Sequence, residues 1–166
     1  MSDSLVIIPT FNEIENIEAI IDEVFHLKKD FDILIVDDNS PDGTATKVIE
    51  LQEKYPERLF LEVRKEKSGL GTAYIHGFKW ALARKYEYIF EMDADFSHRP
   101  SDLQRLYRAC LDLCTGTSTK HSPTSWVGRL LAAKIMASRE SSLPLAVNPK
   151  AALMAALATR SRDKGA

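Results

Sequence analysis

Short apolar runs alternate with helically spaced apolar positions along the first two thirds of the chain. Leu5-Val6-Ile7-Ile8 is a continuous apolar run closed by Pro9, the pattern of a strand buried on both faces. Ile14, Ile17, Ile21, Val24 and Phe25 then recur at helical spacing, with Glu15, Glu18 and Asp22 between them. They predict a helix over about 13–27, capped by Asn12. Ile33-Leu34-Ile35-Val36 predicts a second buried strand ending in Asp37-Asp38, and Asn39-Ser40-Pro41-Asp42-Gly43 is a dense turn signal. A helix over about 44–54, a strand over 59–63 and a helix opening at Ser68-Gly69-Leu70-Gly71 and running to about position 84 follow. The fourth strand covers 88–92 and ends at Asp93-Ala94-Asp95. Pro100 starts a fourth helix, since proline is tolerated in a first turn. Four strand–helix alternations predict a parallel sheet covered by helices through right-handed crossovers.

The last third reads differently. Thr115 to Ser125 is rich in Ser and Thr, as loops are. Val127, Leu130, Leu131 and Ile135, interleaved with Arg129, Lys134 and Arg139, predict a basic amphipathic helix over about 126–138 that can lie on a bilayer surface or pack on the sheet. Pro144, Asn148 and Pro149 precede an Ala-rich stretch over 151–158. Charge shifts at the same place: residues 1–110 carry 14 Lys and Arg against 21 Asp and Glu, and residues 111–166 carry 8 against 3. Every aromatic residue but Trp126 precedes position 111. The expected division is therefore a folded unit over 1–110 and a divergent or truncated, partly disordered tail over 111–166.

At 166 residues the chain suits one domain. A net charge of -2 gives no case for nucleic-acid binding. Cys110 and Cys114 cannot make a disulfide framework or complete a zinc site, and are read as reduced thiols. The N-terminus has no basic stretch before its apolar run, and no apolar run approaches the ~20 residues of a membrane span. The expected location is cytoplasmic, with any membrane contact peripheral.

Candidate chemistry gathers at the strand ends, where open parallel sheets bind ligands. In extended backbone Asp93 and Asp95 face the same way, so two hard carboxylates can converge on Mg²⁺ or Mn²⁺ together with phosphate oxygens. Asp37 is the candidate acceptor for a base or ribose, with Asp38, Ser40 and Asp42 read as turn and capping residues. Phe11 offers a ring for stacking and Glu13 a carboxylate for orienting a nucleotide, although an ordinary helix cap explains that segment equally well. Gly69 and Gly71 before a helix let backbone N–H groups approach an anion. His98 lies within reach of the acidic pair. His26, His76 and His121 are read as ordinary structural residues.

Four ordered strings, VIIPTFNE at 6–13, IVDDNSPDGT at 35–44, EKSGLGTAYIHGF at 66–78 and EMDADFSH at 91–98, resemble family 2 glycosyltransferases. The resemblance is strongest to the dolichol-phosphate or polyprenol-phosphate mannose synthase branch, and runs from about Leu5 to Cys110. It implies a GT-A, Rossmann-like, mostly parallel α/β sheet with helices on both faces, incomplete at the C-terminal end. It also implies transfer of mannose from GDP-mannose to a polyprenyl (dolichyl) monophosphate with inversion, on the cytoplasmic face of a membrane. By this likeness Pro9, Phe11, Glu13, Ile35 and Asp37 contact the nucleotide, and Asp93, Ala94 and Asp95 contact the diphosphate. Asp93 and Asp95 hold the metal and carry catalysis. Phe11 stands where the family often has Tyr. After Cys110 the family's G-[ST]-R-Y-like segment is not found, which suggests a truncated or diverged end and impaired turnover. Two alternatives stay open: a family 2 transferase using a UDP-sugar, and an impaired fragment that binds nucleotide-sugar weakly or not at all.

Overall fold

A computed structural model describes residues 2–115 apart from 66 and 68, together with 131–134. The elements in chain order are β1 (Ser4–Thr10), α1 (Ile17–Phe25), β2 (Asp32–Asp37), α2 (Thr44–Lys54), β3 (Leu59–Val63), α3 (Leu70–Ala83), β4 (Tyr88–Glu91), α4 (Asp102–Thr115) and β5 (Leu131–Lys134). The strands form one sheet in the order β3-β2-β1-β4-β5, and every pair is parallel. The chain first walks from β1 outward to β3, then crosses back to place β4 on the other side of β1. That reversal beside β1 is the switch point at which such sheets bind ligands.

Successive side chains of a strand point to opposite faces, and the two cores follow that rule. Val6, Ile8, Ile33, Ile35 and Phe90 pack with Ile17, Ile20, Ile21 and Val24 of α1, Val48 and Leu51 of α2, and Leu103, Leu106 and Cys110 of α4. Leu5, Ile7, Leu34, Val36 and Ile89 pack with Ala73, Tyr74, Phe78, Trp80 and Ala81 of α3. Among the described residues, α3 is the one helix on its face. It lies close: a Cβ added at Gly77 would sit 2.6 Å from Ile7 Cγ2. Glu62 of β3 also ties α3 down, accepting from Trp80 Nε1 at 3.0 Å and lying 3.1 Å from His76 Nε2.

The first helix starts later than expected. α1 begins at Ile17 rather than near position 13, and Asn12 is not its cap but a left-handed residue with φ 62°. Residues 13–16 form a turn instead, because their amides find partners across the chain: Glu13 N–H donates to Thr44 Oγ1 at 3.0 Å and Ile14 N–H to Asp42 Oδ2 at 3.1 Å. The tail differs too. Within the stretch expected as an amphipathic helix, Leu131–Lys134 is a strand paired with β4. That pairing supplies ladder partners to the side of β4 away from β1. The rest of that expected helix, the Ser/Thr-rich loop beyond Thr115 and the Ala-rich stretch lie outside the described residues. No helix among the described residues is long and apolar enough to cross a membrane.

At the sheet's other end Asp32 is fully buried. Its Oδ2 accepts from Tyr86 Oη at 2.8 Å and from the Ser2 amide at 3.0 Å. This acid belongs to the scaffold, and it explains why β2 begins one residue before its apolar run.

Candidate functional site

The site is built at the carboxyl ends of β1, β2, β3 and β4. Thr10 at the end of β1 is in register with Asp37 at the end of β2. Glu91 of β4 is in register with Ile7 of β1, so the chain beyond β4 emerges at the same edge. Asp37, Asp93 and Asp95 are thereby brought together on one side of the molecule rather than scattered over it.

Asp37 is fully buried. Its Oδ1 accepts from the Ser40 amide at 2.9 Å, and its Oδ2 from Ser40 Oγ at 2.6 Å and Thr10 Oγ1 at 2.8 Å. Ser40 Oγ in turn accepts from the Asn12 amide at 3.0 Å. The carboxylate thus joins the turn after β1 to the turn after β2. Asp37→Ala is expected to lower unfolding free energy by about 1–3 kcal/mol, the cost of leaving buried donors without their acceptor. Urea unfolding followed by Trp80 fluorescence checks it.

Asp38 pairs with Arg64, which follows β3. Arg64 Nη2 donates to Asp38 Oδ2 at 2.7 Å and Nε donates to Oδ1, with both side chains nearly buried. Arg64 Nη1 donates to Thr72 Oγ1 at 2.7 Å, and Thr72 Oγ1 donates to the Gly69 carbonyl at 2.7 Å. One guanidinium therefore links the β2 acidic turn to the first turn of α3. Gly69, at φ 93°, makes the sharp entry into that helix.

The expected acidic pair lies on a turn rather than on extended backbone: β4 ends at Glu91, and residues 94–95 already turn. Phe96 completes the turn at φ 56°, a conformation uncommon for a bulky side chain. Asp93 Oδ1 accepts from Tyr74 Oη at 2.8 Å, and Asp95 Oδ1 accepts from the Ser97 amide at 2.9 Å. Hydrogen bonding from Ser97, aided by His98, holds the Asp95 carboxyl below the ordinary value, so it is ionised at neutral pH. Burial raises the Tyr74 hydroxyl far above the ordinary tyrosine value, and the charges of Asp93, Glu91 and Asp95 add to this. Ala94 is buried in the core between Asp93 and Asp95.

The donor set fits a hard divalent cation. Asp93 is held through Oδ1 by Tyr74 Oη, and Asp95 is held by the Ser97 amide and hydroxyl. No group of three or more His, Cys, Asp or Glu side chains poised for a metal occurs among the described residues. Two carboxylates leave most of an octahedral shell to water and substrate oxygens, the usual arrangement for Mg²⁺ on phosphates.

On the β1 side, Phe11 is half-buried, and Lys67 Nζ lies 3.9 Å from its ring centroid. A cleft of about 470 Å³ opens beside it, lined by Asn12, Glu13, Ile14, Glu15, Asn16, Pro41 and Asp42. Pro9 is half-buried at the end of β1. Ile35 is fully buried, as Asp37 is, and its side chain packs against the α1 face of the core. Thr10, Arg64, Thr72 and Tyr74 were not singled out by sequence. Their partners lie 27, 26, 8 and 19 residues away, and no local pattern reports such pairs.

The parallel sheet, its strand order and its helices are those of a GT-A fold. The family model for glycosyl transferase family 2 matches residues 5–127, and the chain belongs to that family. That match passes the composition change at Cys110.

Among curated proteins the chain is 49% identical over 106 residues to a polyprenol monophosphomannose synthase of Mycolicibacterium smegmatis, covering 64% of this chain and 40% of the relative. It is 40% identical over 139 residues to an undecaprenyl-phosphate mannosyltransferase of Micrococcus luteus, covering 76% and 57%. The chain thus spans roughly half or less of the length of the curated relatives it matches. Among solved structures, a mannosyltransferase of Pyrobaculum calidifontis in complex with GDP-Man and Mn²⁺ aligns with TM-score 0.54 and 26% identity, over 63% of this chain and 32% of that one. TarS of S. aureus, at 21% identity and TM-score 0.56 over 75% of this chain and 39% of that one, shares the fold.

Proposed function

We propose that this chain binds GDP-mannose with Mg²⁺ or Mn²⁺ and transfers mannose, with inversion, to a polyprenyl or dolichyl monophosphate. The observation that carries the reading is the convergence of Asp37, Asp93 and Asp95 on one sheet edge, in a chain whose relatives are polyprenol-phosphate mannosyltransferases. Phe11 stacks on the guanine, Glu13 and Asp37 orient the nucleoside, and Pro9 and Ile35 form the packed support beneath it. Asp93 and Asp95 hold the cation against the diphosphate, with Ala94 setting their spacing. A cation held there would supply neutralisation of the charge that develops on the departing GDP. A lipid phosphate oxygen is already anionic near neutral pH, so it attacks the anomeric carbon without a dedicated base while the bond to GDP breaks. The protein's task is alignment and charge stabilisation.

The acceptor's polyprenyl tail places the reaction at a membrane surface, and we assign the chain a peripheral position on its cytoplasmic face. The donor site falls within residues 1–110, and β5 adds a strand to the same sheet.

A thermal-shift titration tests the reading. GDP-mannose is expected to raise the melting temperature in the presence of Mn²⁺ and much less with EDTA, because a ligand that binds only the folded state stabilises it. GDP should compete and UDP should not. A shift with UDP-glucose but none with GDP-mannose would replace the donor assignment, and no shift with either would reject the site.

A further inference from the structure

The hydroxyl of Tyr74 carries a hydrogen bond from α3 to the acidic pair. Its ring is buried among Leu5, Ile7, Val36 and Phe78, an environment a phenylalanine would fill as well. The hydroxyl instead donates to Asp93 Oδ1 at 2.8 Å, an oxygen of one of the two carboxylates assigned to the cation. The same helix carries Thr72, which Arg64 links to Asp38. The start of α3 is therefore tied directly to the turn after β4, and through Arg64 to the turn after β2.

We infer that Tyr74 is a positioning residue for the cation: its hydroxyl fixes the rotamer of Asp93 so that Oδ2 faces the metal. The inference rests on the proposed metal-dependent function. Bonds of this kind, made to the back of a ligating group, orient it and typically change metal affinity by about ten- to a hundredfold. A tyrosine that only fills the core would change stability and leave metal affinity alone, which separates the two roles.

The test uses the full chain with GDP present and Mn²⁺ binding read by electron paramagnetic resonance. Tyr74→Phe is expected to raise the Mn²⁺ dissociation constant about ten- to a hundredfold, with the metal-free melting curve little changed. Transfer activity should return toward the unmodified chain's value at saturating Mn²⁺, placing the loss in metal affinity rather than in kcat. A dissociation constant within twofold of the unmodified chain's would overturn the inference and leave the proposed function standing. If the unmodified chain binds no Mn²⁺ beside GDP, the proposed function fails and this inference with it. A second measurement needs no variant. Bound Mn²⁺ should broaden the ¹³C-labelled ring resonance of Tyr74 strongly, and an unbroadened signal at metal saturation would also overturn the assignment.

Discussion

Replacing Asp95 with Asn is expected to slow mannose transfer by about two to three orders of magnitude while leaving the fold intact, and Asp93→Asn should do the same. The size follows from removing a group that stabilises charge in the transition state, which typically costs that much in rate. The choice of Asn isolates the charge. An amide oxygen still accepts from the Ser97 amide at position 95 or from Tyr74 Oη at position 93, so neither local bond is lost. What disappears is the anionic oxygen offered to the cation. Steady-state transfer rates, with a melt of each variant in EDTA, check both halves. A variant that keeps full activity, or one that unfolds, would show that the acidic pair serves the scaffold rather than the reaction.

Gly77→Val should lower unfolding free energy by about 3 kcal/mol, the upper part of the usual range for overpacking a core, and lower the melting temperature by roughly 5–10 °C. The new Cβ would lie 2.6 Å from Ile7 Cγ2 and 2.9 Å from Ile7 Cδ1. Ile7 has no room to yield, being fully buried in β1, with β2 on one side and β4 on the other. Gly77→Ala tests the same contact more gently. Alanine regains about 1 kcal/mol of helix propensity, so its net loss should be about 1–2 kcal/mol after the clash is counted. Chemical unfolding of the two variants gives the comparison, and an Ala variant more stable than the parent would contradict the close approach.

The sheet was legible in the sequence because its four central runs are both continuous and interrupted. Leu5 to Ile8 and Ile33 to Val36 are unbroken apolar stretches, each closed by turn-forming or acidic residues, and both faces of each strand are buried as that pattern requires. The acidic edge was legible for the same reason: a polar cluster after each apolar run must fall at one end of a parallel sheet. The start of α1 was not. Asn12 looks like a cap until Thr44 and Asp42 take the amides of Glu13 and Ile14 from across the chain, and periodicity carries no signal from a partner about thirty residues away. The same limit hid Arg64 and Tyr74, whose roles lie in what their polar ends touch. The short β5 was hidden differently, because Leu131, Ala132, Ala133 and Lys134 fit a helical stripe, and only the pairing with β4 selects a strand. Ile35 shows the reverse case: family likeness places it at the nucleotide, while the strand alternation turns its side chain into the core.

One side of the sheet rests on α3 among the described residues, and the first turns of that helix carry Thr72, linked through Arg64 to Asp38, and Tyr74, whose hydroxyl reaches Asp93. Cohesion of that half of the molecule and readiness of the reaction centre are therefore the same thermodynamic quantity viewed from two ends. By reciprocity, whatever fixes the turn after β4 also holds the helix on its strands, and whatever loosens the helix frees Asp93.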